Sequence, residues 1–206
     1  MRDGIGARMR RQNGLLKRFR SCFVRFGRDE QAVTLIEFGI LAVPFFTIMA
    51  AILETALVFL AGQILDSAVQ DSSRWVRTGQ AQAAEYDGDE FRAALCGRLY
   101  GMFDCTAGAG ERLRIRVAVM DNFTAAAIGY PLSTGEDCDP DECEWTLVSQ
   151  YEPGGGGEVV LVQAFYKWPT LVNLPGFNLG SLPDGSRLLG ASRLFRNEPF
   201  GCTDCT

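Results

Sequence analysis

Residues Leu35–Leu65 read LIEFGILAVPFFTIMAAILETALVFLAGQIL. The only acids in this run are Glu37 and Glu54, and it holds no Lys or Arg. A helix needs roughly 20 such residues to cross the hydrocarbon core of a bilayer. The run is also longer than the roughly 7–15 apolar residues of a cleaved secretory signal. Ala61-Gly62 is a small-residue pair of the kind signal peptidases cut. Cleavage there would discard a helix that the following residues continue.

That continuation is amphipathic. Ala61, Ile64, Leu65, Ala68, Ser72, Trp75 and Val76 recur at three- and four-residue steps, while Asp66, Gln70, Asp71, Arg74 and Arg77 fall elsewhere. Gly79 follows as a stop signal. The pattern predicts one helix from about Glu30 to Thr78, on the order of 70 Å long. Pro44 inside it removes one backbone hydrogen bond and favours a kink.

Charge is divided about this helix. Residues 1–32 carry nine basic side chains (Arg2, Arg8, Arg10, Arg11, Lys17, Arg18, Arg20, Arg25 and Arg28) against Asp3, Asp29 and Glu30, a net of +6. The whole chain has a net charge of -5, so the remainder is strongly acidic. A basic arm on an acidic body suits nucleic acid in isolation. Beside an apolar span it is a positive-inside signal, with the N-terminus cytoplasmic and the body exported. Leu15, Leu16, Phe19, Phe23 and Phe26 are interleaved with the cations, as in a helix on anionic lipid. A membrane is therefore the expected partner, and nucleic acid is not.

Cysteine and histidine usage agree with this topology. Of seven Cys, Cys22 lies in the leader and six lie beyond the span, where an oxidising compartment favours disulfides. Six Cys allow fifteen connectivities. The simplest pairs neighbours: Cys96–Cys105, Cys138–Cys143 and Cys202–Cys205. The chain has no His. Its absence excludes Ser-His-Asp and Cys-His nucleophile pairs and His-ligated catalytic metal.

After a polar link over Gln80–Gly88, Glu90–Tyr100 reads as a short helix burying Phe91, Ala94, Leu95 and Leu99. Leu113–Met120 (LRIRVAVM) alternates as a strand, with Leu113, Ile115, Val117 and Val119 on one face. Val159–Trp168 is a second strand. Arg187–Phe195 is a third, interrupted by Gly190. Gly154–Gly157 reads as a flexible loop; it lacks the Lys-Ser/Thr of a phosphate loop. Leu171–Asp184, with Pro175 and Pro183, reads as a loop. The expected fold class is α+β: a long N-terminal helix, transmembrane then amphipathic, packed on a small antiparallel sheet. The expected segments are a leader at 1–32, a span at 33–62, and an exported body at 63–206 whose helix continues to about 78.

The junction of leader and helix is Ala32-Val33-Thr34-Leu35-Ile36-Glu37-Phe38. It resembles the processing site of type IV pilins and pseudopilins, in which a prepilin peptidase cuts before the apolar helix and the fifth mature residue is Glu. Counting back from Glu37 puts the cut between Ala32 and Val33. The family usually has Gly before the cut; this chain has Ala32. The fuller resemblance is to the TadE-like family, pseudopilins of the tight-adherence (Flp) pilus machinery. It is carried by Phe26-Gly-Arg-Asp29, Ile36-Glu-Phe-Gly39, Pro44, Glu54, and Ser73-Arg-Trp-Val-Arg-Thr-Gly-Gln-Ala-Gln82. The Cys96…Cys105 pair and Phe195-Arg-Asn-Glu-Pro-Phe200 add to it. The resemblance implies a pilin-like fold and a single-pass inner-membrane protein with a periplasmic body. It implies other pilins or pseudopilins, the assembly platform and a prepilin peptidase as partners.

Two carboxylates are candidate assembly residues. Glu37 sits at the hydrocarbon edge, where an acid is costly unless paired. The ammonium of Val33, once exposed by cleavage, is a partner of the right sign; the bland alternative is a solvated headgroup position. Glu54 admits two readings. Near mid-bilayer an ionised acid costs about 3 kcal/mol, so it is protonated or bonded to Thr55, Gln63 or a partner helix. Alternatively the span is Phe38–Leu53 and Glu54 lies at the outer interface. Arg74 and Arg77 suit the C-terminal end of a helix dipole. The carboxylates of Glu136–Cys143 do not have EF-hand spacing and read as an acidic turn.

The expected role is an assembly protein, not an enzyme, with no catalytic, cofactor-binding or metal-ligating residue. The alternatives are a membrane-tethered binding module, or a thiol oxidoreductase using Cys202 and Cys205. Co-expression with a cognate prepilin peptidase is expected to shorten the chain by its leader, read by N-terminal sequencing; an intact N-terminus refutes the Ala32–Val33 cut.

Overall fold

The computed structural model describes residues 30–106, 111–124, 131–132, 145–170, 173–174, 177–178, 180–182 and 184–201. The basic leader through Asp29, Cys22, the Glu136–Cys143 turn, and Cys202 and Cys205 lie outside the described residues. Helix α1 runs Glu30–Arg77 as a single helix with Pro44 inside it. Its rich supply of Leu, Ala and Met favours helix, and no second Pro follows Pro44 within it. The described residues divide into two compact units between Ala51 and Ile52. The first is helix alone; the second holds the rest of α1 and every other element.

The second unit continues with α2 (Gln80–Ala83), α3 (Gly88–Cys96), β1 (Leu113–Met120) and β2 (Gln150–Tyr151). Strand β3 (Val159–Trp168), the short pair β4 (Asn173–Leu174) and β5 (Phe177–Asn178), and β6 (Arg187–Arg196) follow. The main sheet has the order β2-β1-β3-β6. Strands β1 and β3 pair antiparallel, Val117 opposite Val162, and β3 and β6 pair antiparallel, Ala164 opposite Ala191. Strand β2 joins β1 in parallel, with Arg116 opposite Gln150. The long connection after Met120 makes that possible, since a parallel neighbour needs a crossover of a dozen or more residues. The α+β arrangement is as expected, but the sheet is mixed.

The two faces of this sheet explain where the alternation succeeds. Leu113, Ile115 and Val117 of β1, and Val160, Val162, Ala164 and Tyr166 of β3, join one core with Val58, Ala61, Leu65, Val69 and Val76 of α1. The second face of β3 is buried too, at Val159, Leu161, Gln163 and Phe165. A central strand covered on both sides reads as a near-continuous apolar run, as VVLVQAF does with Gln163 its one polar residue. Val119 departs from the expected face pattern: it is exposed while Ala118 is buried. Gly190 does not interrupt β6. A Cβ there would lie 2.8 Å from the Phe165 ring, so its bare backbone makes room for that ring in the paired strand.

Helix α3 starts earlier than its apolar pattern indicates because Asp87 caps it. Asp87 Oδ1 accepts from the Glu90 amide at 2.8 Å, and Glu90 Oε2 accepts from the Asp87 amide at 3.1 Å, a capping box. Turns replace its expected last residues, with Tyr100 at φ 51° and Gly101 at φ 70°. Phe91, Leu95 and Leu99 are buried as expected. The polar link before α3 contains the four-residue helix α2, and the expected loop near Leu171–Asp184 contains the β4–β5 pair.

Cys96 and Cys105 form a disulfide with Cα atoms 6.3 Å apart. It closes a short loop that buries Leu99 and Phe103. Phe103 meets the rings of Tyr166 and Trp168 edge-on at 4.7 and 5.5 Å, and the Tyr166 hydroxyl accepts from the Asp104 amide at 3.0 Å. The bridge thus ties the end of α3 to an aromatic cluster on β3. Replacing both cysteines by Ser is expected to destabilise the body by about 3 kcal/mol, from the loop entropy restored to the unfolded chain. Chemical denaturation of the oxidised and doubly substituted chains checks this.

Candidate functional site

The functional candidate is helix α1, with the contacts that seat its C-terminal part. Its span Thr34–Arg77 contains a window of mean hydropathy 2.2, none of it buried. Phe38, Leu41, Phe45 and Ile48 are exposed, Leu41 by 70%. In water each such side chain forgoes about 1.5–3 kcal/mol of burial, so this surface demands lipid or a partner. The helix is therefore long and apolar enough to cross a membrane. Glu37 lies exposed within it. Ala32 and Val33 are helical in backbone, and their side chains are outside the description.

Farther along, α1 acquires a buried stripe. Glu54, Val58, Ala61, Leu65, Ala68, Val69, Ser72, Ser73 and Val76 are buried, and they follow three- and four-residue steps. Glu54 is only 5% exposed and occupies the first position of that stripe. It has a polar or electrostatic partner. Sequence periodicity from Ala61 onward does not reveal this, because Glu54 and Val58 extend the stripe into the apolar run. On the flanks of the stripe, Asp66 pairs with Arg193 of β6 at 2.6 Å, and Asp71 pairs with Arg98 at 2.6 Å. Arg98 also lies 4.3 Å from the centre of the Trp75 ring.

The helix end is held by segments distant in sequence. Gly79 takes φ 77°, and a Cβ there would lie 2.6 Å from Phe200 Cγ. Glycine is thus required twice over, by backbone conformation and by the ring above it. The Gln82 amide donates to Val76, Pro153 and Gly154 carbonyls at 3.2, 2.9 and 3.1 Å. The Asn197 amide, 2% exposed, donates to Pro153 and Gly155 carbonyls, both at 2.9 Å. The Glu198 amide donates to the Arg77 carbonyl at 2.9 Å, and their side chains meet at 3.5 Å. Gly156 lies under Phe200, with no room for a Cβ. The glycine run expected to be a flexible loop is instead strapped on both sides. Two motifs that stand apart in sequence, Ser73–Gln82 and Phe195–Phe200, meet on it.

A second polar network joins α3 to β1. Arg92 and Arg114 both pair with Glu111, and the Trp145 indole donates to the Glu111 carbonyl at 3.0 Å. Lys167 lies 5.0 Å from the Trp145 ring centre, and burial pushes its pKa down. Burial, aided by Asp87, pushes the Tyr151 phenol up to about 12. Among the described residues no three His, Cys, Asp or Glu gather to hold a metal ion. Of the candidate disulfides, Cys96–Cys105 is formed.

Comparison with protein families matches residues 32–74 to the family described as TadE-like protein. The match covers the apolar run, Glu37, Pro44, Glu54 and most of the buried stripe. No curated protein and no solved structure matches the chain.

Gly79→Ala is expected to destabilise the body by more than about 1 kcal/mol, the cost of the left-handed backbone alone. Phe200→Ala removes the ring above that position, so the double substitution is expected to fall short of additivity by at least about 0.5 kcal/mol. A double-mutant cycle by denaturation measures it.

Proposed function

From a TadE-like segment that coincides with an exposed apolar helix, we propose that this chain is a pseudopilin-like assembly protein of the tight-adherence pilus system. The observation that carries the reading is this helix: its apolar window is unburied, it is free of basic residues from Thr34 through Ser73, and it is continuous with a folded body. In the proposed topology residues 1–32 remain cytoplasmic, the helix from Val33 to about Ala51 crosses the inner membrane, and the unit from Ile52 onward, in which Glu54, Val58 and Ala61 are already buried, forms the exported body, so the span is shorter than the 33–62 expected from sequence. The +6 leader supports that direction, since Lys and Arg are retained on the cytoplasmic side. The Cys96–Cys105 disulfide suits an oxidising compartment beyond the membrane.

In this role the chain works by association and not by catalysis. Gly39, Ala42, Ala50, Ala51 and Ala56 are small residues that allow neighbouring helices to approach. Cleavage by a prepilin peptidase before Val33 creates an ammonium four residues from Glu37. In lipid that carboxylate gains most by pairing with the ammonium of its own or a neighbouring subunit. Other pilins or pseudopilins and the assembly platform are the partners. The exported body then supplies contact surfaces for machine components.

Glu37→Ala is expected to reduce pilus assembly severely while the protein still fractionates with membranes. Pilus yield and membrane extraction, measured together in a strain lacking the native copy, test it. Normal assembly with the Ala variant refutes the pairing role.

A further inference from the structure

Strand β6 stands at the end of the sheet order β2-β1-β3-β6, so it has a neighbouring strand on one side only. The direction of its backbone groups follows from its two ends, because they alternate sides along a strand. Asn197 turns inward: its amide donates to the Glu158 carbonyl at 2.8 Å, and its carbonyl accepts from the Gly157 amide at 3.2 Å. Leu188 turns outward: its amide donates to the Ser181 hydroxyl at 3.1 Å. The N–H and C=O groups of Gly190, Ser192, Leu194 and Arg196 therefore point away from β3. Among the described residues nothing accepts from these four amides. Of their carbonyls, that of Ser192 accepts from Arg193 Nη1 at 2.9 Å.

Such an edge is a template for another strand, and folded proteins commonly blunt it with Pro, Lys or a bulge. Strand β6, RLLGASRLFR, has no Pro and no Lys. Its register with β3 runs unbroken from Arg187 opposite Trp168 to Arg196 opposite Val159, so it has no bulge. We propose that residues 190–196 of β6 are a docking edge for an extended, acidic segment of a partner protein, which adds to the sheet as a further strand. Backbone hydrogen bonds to the four outward residues hold the guest, and side chains on its two faces select it. Leu194 and Phe195, half-buried on opposite faces, offer apolar neighbours to the guest. Arg196 is exposed and joins no ion pair among the described residues, so its charge is available to a guest acid. The Arg193 charge is taken by Asp66. A second copy fits less well. The strand carries three Arg and no acid, and antiparallel pairing of two β6 strands centred on Ser192 lays Arg196 of each beside the Arg187 end of the other. Strand β2 of a second copy, Gln150–Tyr151, is too short to cover the edge. The edge belongs to the folded body and does not depend on the membrane reading of α1.

The test uses the full-length chain in neutral detergent and the peptide acetyl-Glu-Val-Ile-Thr-Thr-Val-Thr-amide, whose Glu falls opposite Arg196 in antiparallel register. Amide hydrogen exchange is read residue by residue by NMR. In the free chain the amides of Gly190, Ser192, Leu194 and Arg196 are expected to exchange at least about tenfold faster than those of Ala191, Arg193 and Phe195, which face β3. Saturating peptide is expected to remove that difference. A peptide methylated on the backbone nitrogens that face β6 is expected to give no protection, whereas methylation of the other nitrogens leaves protection intact. Arg196→Gln is expected to weaken binding of the Glu peptide about threefold, the effect of one exposed ion pair, and to leave a Gln version of the peptide unaffected. Absence of protection by the unmethylated peptide overturns the proposal, as does equal protection by both methylated forms. Equal weakening of the Glu and Gln peptides by Arg196→Gln overturns the acidic preference and the proposal with it. Protection in the peptide-free chain that rises with protein concentration assigns the edge to a second copy and overturns it. Slow exchange of the four outward amides at every concentration shows the edge covered by the chain itself and also overturns it.

Discussion

The packing of one helical stripe, Val58 to Val76, against the inner face of the sheet is the contact on which the body depends. Val58, Ala61, Leu65, Val69 and Val76 share a core with alternate residues of β1 and β3. A helix and a sheet each have an apolar face, and neither is stable until it covers the other. Leu65 is fully buried there, so truncating it to Ala removes contacts worth about 2–5 kcal/mol. The surrounding devices protect this contact. The Asp66–Arg193 pair flanks it, the disulfide ties the aromatic cluster of Phe103, Tyr166 and Trp168, and Gln82, Asn197 and Phe200 clamp the helix end.

Over its earlier turns the same helix is exposed and apolar. Where the stripe ends, apolar side chains turn outward around the whole circumference, a pattern that signifies burial in lipid or between helices. Two acids punctuate this change. Glu37 is exposed on the apolar stretch, whereas Glu54 is buried at the head of the stripe. Equal chemistry thus carries unequal consequences. An exposed carboxylate on an apolar helix keeps its charge available to a partner outside the chain. A carboxylate buried in the body is held by partners within the chain.

Much of the fold is legible in local pattern. The helix stop at Gly79 follows from its backbone freedom, and the strand limits of β1 and β3 follow from alternation and from an apolar run that only Gln163 interrupts. Legibility fails where a distant segment decides. The two residues of β2 are too few to show a period, and their parallel pairing depends on where a long connection returns. Gly190 reads as a break until the Phe165 ring occupies the vacant space beside it. The Gly154–Gly157 run reads as flexible because its tethers, Gln82 and Asn197, are about 70 and 40 residues away along the chain.

By itself the sequence determined the long apolar helix, its amphipathic continuation, the charge asymmetry about it and the class of the body. These depend on composition and on periods of two and 3.6 residues, which neighbours in the chain express without help. Tertiary structure alone decided the burial of Glu54, the meeting of two remote motifs over the glycine loop, and the place of β6 at the end of the sheet. Each depends on which surfaces face one another after packing, and no local period encodes a contact such as Asp66–Arg193, across more than a hundred residues of chain.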